Sequence, residues 1–208
     1  MSQDPPRDDA NVETDCDVLI AGGGMVGLSF ALALDTVSGG RLRIVLAEGF
    51  AVPAISSSSG NTSSYRPSFD ARSSALAHGS RLILDALGVW ESLAEHATPI
   101  TTIHVSEREQ FGSAELRSEE RGWPALGYVV ENARLGHALM DAMRRRSAIR
   151  FLNPASVTAC RPGAEYATAT IEMNGESTTL RCKLIAIADG AESKLRQQLG
   201  ITTTKSAY

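Results

Sequence analysis

Residues 16–34 read CDVLIAGGGMVGLSFALAL, and this stretch decides the fold. It begins with Cys16–Ala21, a short apolar run of the kind found in strands that are buried on both faces of a sheet. Helix-forming residues follow the glycines from Met25 onward, and a second apolar run covers residues 43–48. Strand, helix and strand within about 35 residues make a βαβ unit, which predicts a parallel sheet with a right-handed crossover.

The glycines between the first strand and the helix satisfy the pattern G-x-G-x-x-G of dinucleotide-binding sites. Gly22 would permit the tight turn, Gly24 would let the backbone approach a pyrophosphate, and Gly27 would let the helix pack close to the strand. Backbone N–H groups at the start of the helix, at Met25 and Val26, would then face the phosphates. The alternative interpretation is a glycine-rich turn that binds no ligand.

Glu48 ends the second predicted strand. A carboxylate at this place accepts hydrogen bonds from both hydroxyls of an adenosine ribose, and it repels a 2′-phosphate. We therefore predict tightly held FAD or NAD in preference to NADP, against the alternative of a surface acid without a ligand. The same fingerprint serves NAD enzymes and flavoproteins, so it does not choose between those two cofactors.

Composition excludes several classes of protein. The chain has 208 residues, of which 43% are hydrophobic and 21% charged, as in ordinary globular proteins. Its net charge of −4 comes entirely from residues 1–17, which carry six acids and one base. The chain has no basic stripe of the kind that binds nucleic acid. Three cysteines without a CxxC pair favour a reducing compartment, and the four histidines show no metal-ligand spacing. We expect a cytoplasmic protein without a metal site.

The uncharged residues 18–34 are too rich in glycine for a membrane span, and the acidic flank before them is wrong for a signal peptide. Residues 1–14 indicate a disordered leader, and residues 53–68 a serine-rich surface loop.

Apolar periodicity predicts helices over residues 76–87, around Trp90, over 134–146 and over about 192–199. Three arginines in the last turn of the third helix would interact favourably with the negative end of its dipole. Alternation predicts a β-hairpin or paired strands over residues 100–117. Short strands are predicted at 150–152, 156–160, 166–173, 178–182 and 184–188.

Two segments resemble flavin-dependent aromatic hydroxylases. FDARSSALA at residues 69–77 is similar to the segment in which an arginine lies along the cofactor, and this implies such a role for Arg72. LIAIADGAESKLR at residues 184–196 resembles the Asp-Gly motif of the same superfamily. That resemblance implies that Asp189 and Gly190 lie near both FAD and the place visited by NAD(P)H. Asn132 falls where many relatives carry an arginine or glutamine that touches FAD.

A narrower resemblance, over about residues 16–208, is to the hydroxylases of ubiquinone biosynthesis. GVWESLAEHATPITTIHVSE at residues 88–107 and LGYVVENARLGHALM at 126–140 carry it. The resemblance implies an FAD-dependent monooxygenase that uses NAD(P)H and O₂ to hydroxylate a prenylated phenol. It also implies peripheral association with the inner membrane, where such a phenol partitions. Because the cofactor supplies the chemistry, no side-chain nucleophile or acid is expected and no catalytic residue is named.

These observations predict a Rossmann-like parallel sheet for FAD and NAD(P), with an added antiparallel β-meander and the beginning of a β-rich substrate domain. We expect residues 15–98 and 124–208 to form the FAD-binding domain, and 99–123 to extend into the substrate domain. The family's later Gly-Asp motif and large substrate sheet do not occur before Tyr208. We therefore expect an N-terminal portion that is inactive alone. The alternatives are another flavoprotein oxidoreductase, an NAD-dependent dehydrogenase and a non-catalytic nucleotide-binding fragment.

Overall fold

The computed structural model describes residues 15–51, 72–106 and 111–204. The predicted leader at 1–14 and serine-rich loop at 53–68 lie outside these ranges. Four α-helices occur in the described part of the chain: α1 Met25–Ser38, α2 His78–Ala86, α3 Asn132–Arg144 and α4 Lys194–Gln198. Short 3-10 helices cover Trp90–Ser92, Ala94–His96 and Glu119–Arg121.

The strands of the described ranges belong to three sheets. They are β1 Cys16–Ala21, β2 Ile44–Ala47, β3 Ser73–Ala77, β4 Thr98–Ile100, β5 Thr102–Ser106, β6 Ser113–Arg117, β7 Gly127–Glu131, β8 Ile149–Leu152, β9 Ser156–Arg161, β10 Ala167–Met173 and β11 Glu176–Ile187. The largest sheet has the order β8-β2-β1-β11-β10-β9, a second has the order β3-β7-β4, and β5 pairs with β6 alone.

The largest sheet joins a parallel part to an antiparallel meander. β8, β2, β1 and β11 are parallel neighbours, whereas β11, β10 and β9 pair antiparallel. Every residue of β1 and β2 is buried, as the sequence predicted for strands covered on both faces. The predicted combination of parallel sheet and meander is therefore confirmed, and so is the predicted hairpin of β5 and β6.

Two apolar clusters hold this sheet. On one face, Ile20 and Leu46 pack with Leu32 of α1 and Leu139 of α3. The other cluster joins Cys16, Leu19 and Val45 to apolar residues of the meander, such as Ala169 and Ile171. The parallel strands are thus enclosed between helices and meander, which leaves their ends free to form a site.

β11 corrects one prediction. The sequence predicted two strands, at 178–182 and 184–188, whereas the structure has one strand of 12 residues, Glu176–Ile187. Its first half pairs with β10 and its second half with β1. The charge of Lys183 is accommodated because its Nζ lies 2.8 Å from Oδ1 of Asp17 on β1. A continuous strand therefore carries the chain from the meander into the parallel sheet.

The segment around Leu76 corrects another prediction. Leu76 belongs to β3, and α2 begins only at His78, although Leu76 still packs against the same core as the helix. Because Leu76 and the apolar residues of α2 pack against the same core, the apolar spacing of the helix extended back to a residue of the strand. Trp90 lies in a 3-10 helix, α3 begins two residues earlier than predicted, and α4 covers only Lys194–Gln198. No helix in the described ranges is long and apolar enough to cross a membrane.

We predict that Asp17 makes the protein sensitive to acid. A hydrogen bond from Lys183, together with those from the backbone and side chain of Arg43, lowers the pKa of Asp17 from 3.8 to about 2. The stabilisation is complete above the unfolded-state pKa and is lost as the pH falls through the folded-state value. Asp17→Asn should therefore lower the free energy of unfolding at pH 7 by about 1–2 kcal/mol.

Urea unfolding of both proteins at a series of pH values from 2 to 7 measures this difference. The gap between the two curves should close in the acid range where Asp17 becomes protonated. Asp141→Asn is a matched control, because its carboxylate is about half exposed and lies 3.9 Å from Arg144. Parallel curves for wild type and Asp17→Asn across the acid range would contradict the assignment.

Candidate nucleotide-binding cleft

A cleft of about 940 Å³ opens where β1, β2 and β11 end. Gly22, Gly24, Glu48, Asp189 and Gly190 are the predicted site residues that line it. Ligands of open parallel sheets bind outside the carboxyl ends of the strands, where neighbouring loops meet. Three separate segments of sequence are thus brought to one place in the way that the βαβ pattern predicted.

The glycine-rich turn forms one wall of the cleft. Gly22 has a φ of +108°, a conformation that L side chains rarely adopt, and its N–H donates to the carbonyl oxygen of Ala47 at 2.8 Å. A Cβ on Gly22 would overlap the carbonyl oxygen of Ala188. A Cβ on Gly27 would overlap the carbonyl oxygen of Gly22, so the helix lies directly against the turn. Neither position has room for a side chain.

The start of α1 points its backbone toward this turn. Gly24 is the N-cap residue, no side chain caps the helix, and its first turn carries no acidic residue. The positive end of the helix dipole is therefore not neutralised by a side chain from the helix itself. Met25 and Val26 are the first residues of the helix. Their N–H groups are of the kind that bind phosphate at helix starts.

Glu48 is held with its carboxylate against the glycine turn. Its Oε2 accepts a hydrogen bond of 2.6 Å from Gly23 N–H, and its Oε1 accepts one of 2.8 Å from Phe50 N–H. A Cβ on Gly23 would lie 2.8 Å from Cβ of Glu48. Gly23 was not among the predicted site residues, because the fingerprint leaves that position open. The signal was present in the run of three consecutive glycines.

The Asp-Gly loop forms the opposite wall. Ala188 N–H donates to the carbonyl oxygen of Ala21 at 2.7 Å, which joins the loop to the end of β1. Buried Ser193 caps α4, because its Oγ accepts a hydrogen bond of 3.0 Å from Arg196 N–H. Nη2 of Arg196 in turn donates to the carbonyl oxygen of Ala191 at 2.9 Å. The Ser193 cap and the Arg196 guanidinium together fix the backbone of the residues that follow Asp189.

Arg72 and Asn132 meet each other at a different place. The N–H of Asn132 donates to the carbonyl oxygen of Arg72 at 2.8 Å, where β3 begins and α3 starts. Ser74, which was not a predicted site residue, donates from Oγ to Oδ1 of the buried Asn132 at 2.7 Å. Neither Arg72 nor Asn132 is among the residues that line the cleft. Met25, Val26 and Gly27 do not line the cleft either, but they follow Gly24 directly at the start of α1. Arg72 and Asn132 therefore form a group of their own.

Charge in the cleft is mostly negative. Glu48, Glu172, Asp189 and Glu192 line it, and Lys194 is the basic side chain among the described lining residues. No group of acids, histidines or cysteines in the described ranges could hold a metal ion. A bound pyrophosphate would therefore depend on backbone N–H groups more than on side-chain cations. Glycine turn, uncapped helix start and Glu48 together fit the adenosine diphosphate part of a dinucleotide.

One family of domains and several known proteins are similar to this chain. The family described as FAD binding domain matches residues 15–208. The ubiquinone hydroxylase UbiL of Rhodospirillum rubrum is 31% identical over 192 residues, which are 92% of this chain and 41% of that protein. The 3-demethoxyubiquinol 3-hydroxylase of Escherichia coli is 32% identical over 190 residues, 89% of this chain and 44% of that protein. The chain thus spans about two fifths of the length of these relatives.

A solved structure supports the fold assignment. The p-nitrophenol 4-monooxygenase PnpA from Pseudomonas putida DLL-E4 superposes with a TM-score of 0.66 at 19% sequence identity. The match covers 88% of this chain and 43% of that one. At this identity the likeness concerns the arrangement of strands and helices, which agrees with the predicted fold class.

Proposed function

The chain belongs to the FAD binding domain family, and we propose that its cleft holds the adenosine diphosphate part of FAD. The observation that carries this proposal is the placement of Glu48 and the glycine turn at the ends of two adjacent parallel strands. The preference of Glu48 for a free ribose 2′-hydroxyl supports FAD over NADP as the resident cofactor.

Particular residues would hold the cofactor in this arrangement. The backbone at Gly22, Gly24 and the first turn of α1 would bind the pyrophosphate, and Glu48 would accept the ribose hydroxyls. Asp189 and Gly190 line the same cleft and would contact the linker beyond the pyrophosphate. The second group, Arg72 and Asn132, would lie along the flavin end, a role that the family resemblance implies.

We propose that the whole enzyme hydroxylates a prenylated phenol in ubiquinone biosynthesis, with NAD(P)H and O₂ as co-substrates. When bound, FAD supplies the redox chemistry, accepting electrons from NAD(P)H and delivering them to O₂. One oxygen atom enters the phenol ring and the other leaves as water. The names of the two ubiquinone-pathway relatives support this substrate class, and the quoted segments resemble hydroxylases of 2-octaprenyl-6-methoxyphenol. The residues of this chain would bind and orient the cofactor.

We propose the same division into domains that the sequence predicts, with 15–98 and 124–208 for the nucleotide and 99–123 reaching toward the substrate. The hairpin of β5 and β6 supports it, because it is not part of the largest sheet. Ile103, Val105 and Leu116 of this hairpin are exposed, and Ile103 is paired directly with Leu116. An apolar face of this kind suits a neighbouring substrate domain.

Peripheral association with a membrane is part of the proposal, since a prenylated phenol partitions into lipid. Co-sedimentation of the whole enzyme with vesicles made from phospholipid and a prenylated phenol tests it. Retention on those vesicles is expected, and recovery of all the enzyme in the supernatant would contradict it.

The proposal predicts that Glu48→Gln weakens FAD binding by about tenfold, because charge-assisted hydrogen bonds to the ribose are lost. Equilibrium titration of the purified chain with FAD, followed by flavin fluorescence, measures the dissociation constant. Glu95→Gln is the matched control, since Glu95 is exposed in a 3-10 helix and does not line the cleft. The control should bind FAD as the unmodified chain does.

The same titration separates the alternatives. Tight binding of NAD without binding of FAD would favour a dehydrogenase and contradict the proposal. Oxidation of NAD(P)H by the chain, with FAD and a phenol added, would exclude a non-catalytic fragment. Equal FAD affinities for Glu48→Gln and the unmodified chain would remove Glu48 from the ribose site.

A further inference from the structure

We propose that Asn153 is a positioning residue. It holds the loop that follows β2, residues 48–50, so that the carboxylate of Glu48 stays in its ribose-binding place. The inference rests on the proposed function, because it concerns how the ribose-binding carboxylate is oriented. Asn153 follows β8, the strand next to β2 at the edge of the largest sheet. It is not among the residues that line the cleft, so it would act through other residues.

The side-chain amide of Asn153 contacts both ends of the loop that carries Glu48. Its Nδ2 donates to the carbonyl oxygen of Glu48 at 2.9 Å and to that of Phe50 at 2.6 Å. One planar NH₂ group has two N–H donors, so it can hold two carbonyl groups at once. A carboxylate of the same shape could not, because it has no donor.

The backbone on either side of Asn153 completes the attachment. Glu48 N–H donates to the carbonyl oxygen of Leu152 at 3.0 Å, and Ala155 N–H donates to the carbonyl oxygen of Glu48 at 2.8 Å. Gly49 lies so close to the same turn that a Cβ there would come within 2.5 Å of Oγ of Ser156. Hydrogen bonds and close packing against residues 152–156 therefore fix the conformation of the loop that carries Glu48.

The link from Asn153 to the carboxylate passes through Phe50. The carbonyl oxygen of Phe50 accepts a hydrogen bond from Asn153, and the N–H of Phe50 donates one to Oε1 of Glu48. When the first contact is removed, the peptide groups around Phe50 gain freedom to rotate, and the N–H is no longer aimed at the carboxylate. Glu48 would then keep its hydrogen bond to Gly23 but lose its second anchor. The carboxylate would have to be ordered at the moment the ribose binds, and this lowers affinity.

Titration of the 208-residue chain with FAD and with ADP, by calorimetry, tests the inference. Asn153→Ala should raise the dissociation constants of both ligands by about tenfold. The decisive measurement is a double-mutant cycle with Glu48→Ala, in which Asn153→Ala should change affinity by less than about twofold. The control is Ser92→Ala, which also removes a hydrogen bond from a side chain to a backbone carbonyl, on Val89, away from the cleft. It should bind both ligands normally.

Two results would overturn the inference. One is an unchanged affinity in Asn153→Ala, and the other is the same loss of affinity with and without the Glu48 carboxylate. If Asn153→Ala does not fold, Asn153→Ser, which retains one donor, enters the same cycle and should lose affinity only when Glu48 is present. Failure of the unmodified chain to bind either FAD or ADP would instead reject the proposed function, so the two failures are distinguishable.

Discussion

Gly27→Ala is expected to lower the free energy of unfolding by about 2–3 kcal/mol, the cost of overpacking a rigid site, and to abolish measurable FAD binding. The added Cβ would overlap the carbonyl oxygen of Gly22 and would lie 3.4 Å from Cγ2 of Ile20. A backbone carbonyl in a tight turn cannot move aside as a flexible side chain can. Helix α1 would have to shift away from β1, and the N–H groups at its start would leave the pyrophosphate position.

The expected loss of stability in Gly27→Ala is opposite in direction to the usual effect of this substitution in a helix. Within an ordinary helix, replacement of glycine by alanine stabilises the protein by up to about 1 kcal/mol. Gly79 provides the matched control, since it lies in the first turn of α2 and a Cβ there would meet no atom within 4 Å. Urea unfolding and FAD titration of both variants measure the contrast. Stabilisation of the protein by both substitutions would contradict the packing argument.

The parts of the fold that could be predicted are those whose cause is local. Strands β1 and β2 could be predicted because every residue in them is buried, which favours apolar sequence. Asp17 of β1 is the polar exception, and its carboxylate is paired with Lys183. The turn at Gly22 and the contact at Gly27 are also local, since they join elements adjacent in the chain. From these parts, the parallel sheet and the cleft at its carboxyl edge follow by the rules of βαβ units.

The parts that could not be predicted depend on contacts between distant segments. Gly23 meets Glu48 across 25 residues of sequence, Ser74 meets Asn132 across 58, and Asn153 meets Glu48 across 105. No periodicity or spacing records such pairs. The small sheet of β3, β7 and β4 was missed for the same reason, because short and partly exposed strands gain their order from their partners.

Arg146 illustrates how a distant partner changes the interpretation of a charge. The sequence placed it in the last turn of a helix, where any cation is favourable, but α3 ends at Arg144 and Arg146 lies beyond it. Its Nη1 lies 3.3 Å from Oδ2 of Asp35 on α1, whose side chain is only 7% exposed. Its Nη2 donates to the carbonyl oxygen of Leu87 after α2, also at 3.3 Å. One guanidinium therefore connects three helices.

Arg146→Ala should therefore destabilise the protein by about 3 kcal/mol, because it leaves the Asp35 carboxylate buried without its counter-charge. Arg144→Ala, two residues earlier, removes only a partly exposed pair with Asp141 at 3.9 Å and should cost less than about 0.5 kcal/mol. Chemical unfolding at neutral pH measures both changes. If the cost arises from the stranded charge, the double variant Asp35→Leu, Arg146→Met should recover most of the loss, since apolar replacements of buried ion pairs are often neutral. Equal losses in the single and double variants would show instead that the hydrogen bond to Leu87 dominates.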